Sequence, residues 1–142
     1  MNHNDSDHIL LVGANHETAP VAIRECLAFS EADVPAALDK LMTMPAIQEV
    51  ILFSTCNRLE VLLTTGDVPA AARSVKKFLA ETGGLEGRQL DQICYQYEDD
   101  AAVRHLFRVA AGLDSMGMGE PQIFGQVKAA YRLAGDKKAT DR

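Results

Sequence analysis

The chain has 142 residues, 47% apolar and 24% charged, which fits one domain with a real core. Its formal net charge of −6 argues against unaided, non-specific nucleic-acid binding, which needs a basic surface. No apolar run approaches the roughly 18 residues of a membrane helix, and the polar, acidic start Met1 to His8 is no secretory signal. The expected compartment is the cytoplasm, with no membrane contact. The three cysteines, Cys26, Cys56 and Cys94, are odd in number and widely spaced. They form no Cys-x-x-Cys pair or Cys/His cluster, so free thiols and no metal site are expected.

In chain order, His8 to Asn15 reads as a first strand ending at Gly13. Thr18-Ala19-Pro20 opens a short helix through about Leu27, with proline suited to its first turn. Ser30, with Asp33 in a capping-box-like place, starts a helix reaching Met44. Pro35 moves the regular part of that helix towards Val34. Val50 to Phe53 is too short for a lone helix and too apolar for a surface loop. It reads as a buried strand, and Leu59 to Thr65 as its neighbour, with Cys56 on the tight connection between them. Asp67-Val68-Pro69 starts a helix carrying Ala72, Val75, Phe78 and Leu79 at helical spacing, stopped by Gly83-Gly84. Gln92 to Glu98 reads as a strand, with Cys94 on a different face from Ile93 and Tyr95. Asp99 or Asp100 caps a helix whose apolar stripe is Val103, Leu106, Phe107 and Ala110, ending at Gly112. A last helix begins at Pro121 and packs through Ile123, Val127, Ala130, Tyr131 and Ala134. The order β-α-α-β-β-α-β-α-α predicts an α+β fold: a ferredoxin-like split β-α-β sheet with additional helices.

Several residues invite chemistry. Cysteine thiolate is intrinsically nucleophilic, and Cys56 sits beside Arg58, whose fork suits a carboxylate held bidentately. On local pattern alone, a small structural thiol is the better account of Cys56, and Arg58 reads equally well as an exposed arginine paired with Glu60 or Glu49. Cys26 inside a helix and Cys94 inside a strand favour structural roles more strongly. His105 lies off the apolar stripe, between Arg104 and Arg108, where it is solvated or site-facing. By itself it reads as a surface histidine, although its side chain could shuttle a proton. Gly112 to Gln122 holds three glycines before Pro121. It lacks both the Gly-x-Gly-x-x-Gly and Gly-Lys-Ser/Thr patterns, so a nucleotide phosphate is not expected. Glu120, Gln122 and Gln126 share one end and face of the last helix, which suits an amino-acid head group better than phosphate. The plain alternative is a helix–helix connection with a polar exposed face.

Taken together, Gly13 to Pro20 (G-A-N-H-E-T-A-P), Ser54 to Arg58 (S-T-C-N-R) and Gly112 to Lys128 (G-L-D-S-M-G-M-G-E-P-Q-I-F-G-Q-V-K) resemble glutamyl-tRNA reductase in order and approximate spacing. The likeness runs from about residue 9 to about residue 134. It implies reduction of glutamate, carried as an ester on its tRNA, to glutamate-1-semialdehyde with NADPH, the first committed step towards tetrapyrroles. It further implies that Cys56 is the nucleophile and that His105 matters for activity. Thr55, Asn57, Arg58, Ser115, Glu120, Pro121, Gln122 and Gln126 are then expected to shape the substrate pocket. In that scheme Arg58 holds the γ-carboxylate and Glu120 meets the ammonium group. His105 protonates the departing ribose oxygen or orders a water. Glutamyl-tRNA is the implied partner, the downstream glutamate-1-semialdehyde aminomutase a second one, and a homodimer the implied state of the full-length protein.

The departures from the family pattern are modest. Family members often carry Leu at Ala14, a basic residue at Glu17, larger apolar residues at Gly117 and Met118, and Leu at Phe124. Members also continue into an NADPH-binding Rossmann domain and a helical dimerisation domain. The expectation is therefore a flexible segment 1–7, a catalytic domain over 8–135 and the start of a truncated linker at 136–142. Such a piece forms the thioester but does not reduce it. Two competing readings are a non-catalytic binding module for aminoacyl-tRNA or a pathway partner, and a freestanding thiol hydrolase using Cys56 and His105.

Overall fold

The computed structural model describes residues 7–115. Their elements are β1 (His8–Asn15), α1 (Val21–Leu27), α2 (Val34–Met42), β2 (Glu49–Ser54), β3 (Arg58–Thr65), α3 (Val68–Gly83), α4 (Gly87–Ile93), β4 (Tyr95–Glu98) and α5 (Asp99–Ser115). The strands form one sheet in the order β2-β3-β1-β4, and every neighbouring pair is antiparallel. β1 and β2 therefore run parallel on either side of β3, the split β-α-β arrangement expected from the sequence.

Alternation along the strands gives the sheet two unlike faces. Leu10, Val12, Ala14, Val50, Leu52, Leu59, Val61 and Leu63 join the core formed with α1 to α4. On α3 the buried stripe is Ala71, Ala72, Val75, Phe78 and Leu79. Asp67 caps that helix by accepting from the Ala70 N–H at 3.1 Å, and Gly84 ends it at φ 68°, where a side chain would be strained. Phe29, just after α1, stacks on Phe78 with ring centroids 6.1 Å apart. The opposite face carries Leu11, Gly13, Glu60, Tyr95 and Tyr97, and α5 contacts it along β1 and β4.

Four expectations need correction. β1 continues past Gly13 to Asn15. The predicted strand over Gln92 to Glu98 is shorter, because α4 occupies its first residues. Glu86 and Gln89 form a capping box there, and the Cys94 N–H closes the helix on the Leu90 carbonyl at 2.9 Å. α5 runs past Gly112 to Ser115. Its buried side is not the Val103–Phe107 stripe: Ala102 and His105 are buried, while Val103 and Phe107 are exposed. The start of α2 at Val34 agrees with the sequence reading. The helix expected from Pro121 lies outside the described residues. Among the described residues, no helix is long and apolar enough to cross a membrane.

Candidate active site at the β2–β3 hairpin

The β2–β3 connection is a turn built by one threonine. Thr55 Oγ1 accepts from the N–H groups of Asn57 (3.1 Å) and Arg58 (3.2 Å), and the Thr55 N–H donates to the Arg58 carbonyl at 2.8 Å. Those bonds leave Cys56 at the tip, exposed, as its place between two strands predicted. The turn is also tied to the neighbouring segment. The Phe29 N–H donates to Ser54 Oγ at 3.1 Å, and Arg24 donates to the Cys56 carbonyl at 3.2 Å and to Asn57 Oδ1 at 3.4 Å. A small depression lined by Ala14, Arg24, Thr55 and Arg58 opens beside it.

The other cysteines stand apart from this arrangement. Cys26 is exposed on α1. Cys94 is half-buried at the end of α4, and burial pushes its thiol up to about 11, so it stays protonated near neutral pH.

Arg58 joins the hairpin to a buried polar cluster. It is only 8% exposed, which corrects the exposed arginine considered from sequence, while Glu60 is the partner expected for it. A single oxygen, Glu60 Oε2, accepts from Arg58 Nη1 at 3.2 Å, Tyr95 OH at 2.5 Å and His105 Nε2 at 2.6 Å. His105 stacks on Tyr97 with centroids 4.6 Å apart and packs against Tyr95 at 5.1 Å. The histidine is thus 7% exposed and hydrogen-bonded, not the surface residue that its flanking arginines suggested.

Charge balance explains why Glu60 tolerates this place. Burial alone would raise its carboxyl, but the bonds from His105 and Tyr95, with the positive charges of His105 and Arg58, hold it below its ordinary 4.5. Burial, then the charge of Glu60, pushes the Tyr95 hydroxyl well above the usual tyrosine range, so it remains a donor. An ionised carboxylate only accepts, so the Nε2 of His105 carries the proton of that bond. Arg58 Nε and Glu60 Oε1 are buried without partners among the described residues.

This lowering has a pH consequence. A carboxyl depressed in the folded state stabilises the fold above its unfolded value, and that stability is lost as pH falls through the folded value. The urea midpoint should therefore drop below about pH 4.5, and drop less in Glu60→Gln. Equal acid sensitivity in both proteins would exclude Glu60 as the source.

Glycine at position 13 permits the cluster. It pairs with Glu60 on one side and Tyr95 on the other, so the two side chains meet across a residue that has none. A Cβ there would lie 2.8 Å from Glu60 Cγ, 2.8 Å from the Leu59 carbonyl oxygen and 3.1 Å from Tyr95 Cε1.

The structure brings together Cys56, Thr55, Asn57 and Arg58 on one turn, and links His105 to them through Glu60. Ser115 closes α5, while Glu120, Pro121, Gln122 and Gln126 lie outside the described residues. Sequence reading missed Glu60's central role, Tyr95 and Arg24. The signal available for the first two was Gly13, since a glycine inside a strand often marks a close approach. Among the described residues, no group of three or more His, Cys, Asp or Glu could hold a metal ion.

Comparison with known proteins assigns the family. Residues 12–142 match the family model described as Glutamyl-tRNAGlu reductase, N-terminal domain. The chain is 46% identical over 132 residues to a glutamyl-tRNA reductase of Desulfatibacillum aliphaticivorans, covering 93% of this chain and 30% of that protein. It is 43% identical over 133 residues to the one from Pelobacter propionicus, covering 94% of this chain and again 30% of the relative. Among solved structures, it is similar to the glutamyl-tRNA reductase of Methanopyrus kandleri, with a TM-score of 0.67 and 32% identity over 94% of this chain and 30% of that one. The chain thus spans about 30% of the length of the relatives it matches. A family match over nearly the whole chain, with the fold agreeing, places it in the glutamyl-tRNA reductase N-terminal domain family.

Proposed function

We propose that Cys56 accepts the glutamyl group of glutamyl-tRNA as a thioester. The observation that carries this reading is the exposed thiol of Cys56 on a hydrogen-bonded turn, in a chain of this family. The thiolate attacks the ester carbonyl, a carbon–sulfur bond forms, and the bond to the ribose oxygen breaks as that oxygen takes a proton. Thr55 Oγ1 already engages the amides of Asn57 and Arg58, so the Cys56 N–H is the turn's candidate donor to the oxyanion. Arg58 supplies the charge for the γ-carboxylate, with Nε not engaged by Glu60. His105 acts through Glu60, keeping that guanidinium in place, because its Nε2 is committed to the carboxylate. Ser115, Glu120, Pro121, Gln122 and Gln126 enter as the pocket's remaining wall, on the strength of the resemblance alone.

A thioester accepts hydride more readily than an oxygen ester, and NADPH is the donor the family implies. The described residues do not fit that dinucleotide. Their sheet is antiparallel throughout, and β1 runs into a loop fastened by Asn15, not a glycine-rich turn opening a helix. The reading for these residues therefore stops at acyl transfer.

The test is incubation with glutamyl-tRNA, a rapid acid quench and intact-mass analysis, with peptide mapping because Cys26 is exposed too. A glutamyl adduct on Cys56 is expected, and Cys56→Ser should lower acylation by at least on the order of 10³-fold. Ester hydrolysis is followed in parallel, since fast turnover would hide the adduct. No adduct, with hydrolysis untouched by Cys56→Ser, would leave the binding-module reading in its place.

A further inference from the structure

We propose that Arg24 is a positioning residue for the chemistry of Cys56, an inference that rests on the nucleophile reading above. Its guanidinium ties the Ala19 segment to the cysteine turn, 32 residues beyond Arg24. Nε donates to the Ala19 carbonyl at 3.2 Å, while Nη1 donates to the Cys56 carbonyl at 3.2 Å and to Asn57 Oδ1 at 3.4 Å.

The Ala19 end is a firm foothold. Asn15 Oδ1 accepts from the N–H groups of Glu17 (2.9 Å) and Thr18 (3.2 Å), and Thr18 Oγ1 accepts from the Asn15 N–H at 3.0 Å. The Ala19 N–H in turn donates to the Asn15 carbonyl at 2.9 Å. That loop is the G-A-N-H-E-T-A-P segment, so Arg24 transmits its fixed geometry to the cysteine turn.

The Cys56 carbonyl defines the plane of the peptide that follows it, and hence the backbone torsion on the C-terminal side of the sulfur-bearing residue. On the N-terminal side, the Thr55 N–H bond to the Arg58 carbonyl closes the turn one peptide before Cys56. With the turn closed and the peptide after Cys56 held, the sulfur has fewer positions open to it. That restriction favours a near-attack geometry at the ester carbon. A simple staple between α1 and the sheet is the plain alternative. α1 has other anchors, however: Leu27 is buried in the core, and Phe29 is held by Ser54 and stacked on Phe78. Arg24→Ala should therefore still fold.

The experiment uses the full chain in a single-turnover reaction with saturating glutamyl-tRNA, quenched over time and read as Cys56 adduct by mass. Arg24→Ala is expected to slow acylation about ten- to a hundredfold, while the half-saturating substrate concentration and the rate of Cys56 alkylation by iodoacetamide stay within about twofold. The small reagent needs access to sulfur but not an oriented attack. Arg24→Lys should recover only a minor part, because one ammonium cannot replace the fork's separate bonds to Ala19 and to the turn. Wild-type acylation in Arg24→Ala overturns the proposal, as does full recovery by lysine. An equal slowing of acylation and alkylation also overturns it, since that reports lost access or fold. If wild type forms no Cys56 adduct and hydrolyses the ester no faster than Cys56→Ser, although iodoacetamide still labels Cys56, the nucleophile reading itself falls, and this inference with it.

Discussion

Glu60→Ala is expected to destabilise the domain by about 3–5 kcal/mol, the range for removing one partner of a buried ion pair. Arg58 is 8% exposed and would lose its only anion at hydrogen-bond range among the described residues. Tyr95 and His105 would lose their shared acceptor at the same time. Thermal unfolding should move down by on the order of 10 °C, and the urea midpoint should fall with it. The double variant Arg58→Met/Glu60→Leu should regain most of that stability, because both charges leave together and apolar groups fill their volume. Acylation should stay lost in the double variant, since Arg58 is gone. A Glu60→Ala protein within about 1 kcal/mol of wild type would mean that the pair behaves like an exposed one, contrary to its burial.

Gly13→Val is the second large effect. Even the first carbon of a side chain would sit 2.8 Å from both the Leu59 carbonyl oxygen and Glu60 Cγ, closer than real Cβ atoms come. The backbone contact cannot be relieved by a rotamer change, so β1 and β3 must separate or Glu60 must leave Tyr95. Overpacking of this kind costs about 1–3 kcal/mol. Loss of the hydrogen bond to a charged group adds roughly 1.5–3 kcal/mol. Urea titration should show the combined loss. Gly13→Ala should show a smaller loss of the same origin, together with slower acylation if Arg58 depends on an intact Glu60. Full stability in Gly13→Val would show that the sheet has room the strand pairing denies.

The first three strands were legible because each follows a simple pattern, and the fourth only over its second half. β2 and β3 are short apolar runs bracketing Ser54 to Arg58, and β1 is a compact apolar stretch. The place of Cys56 followed from that bracketing alone. His105 was not legible, for a physical reason. Periodicity assumes that the buried side of a helix is its apolar side, but α5 lies over a sheet face whose centre is a carboxylate. There the favoured neighbour is a hydrogen-bonding ring held by two tyrosines, and the helix turns accordingly, leaving Phe107 72% exposed. Glu60 was equally hidden. A charged residue alternating with Leu59 and Val61 is the ordinary mark of a solvated strand face, and only the cross-strand partners reverse it. Arg24 carried no local signal at all, because its acceptors on the turn are 32 and 33 residues away. α4 was lost for a smaller reason: its Glu86–Gln89 cap precedes a seven-residue helix too short to show a clear stripe.

The strand order has a consequence for how the polar centre comes into being. The β2–β3 hairpin is local, so it can close early with Cys56 already at its tip. Two of the three donors to Glu60 arrive from much later in the chain: Tyr95 is 35 positions on and His105 is 45. Tyr95 reaches Glu60 only when the last strand has docked on the first, the pairing that closes the longest loop in the sheet. A chain still emerging during synthesis would thus expose the thiol before the buried cluster around Glu60 is complete. Maturation of the site coincides with completion of the sheet.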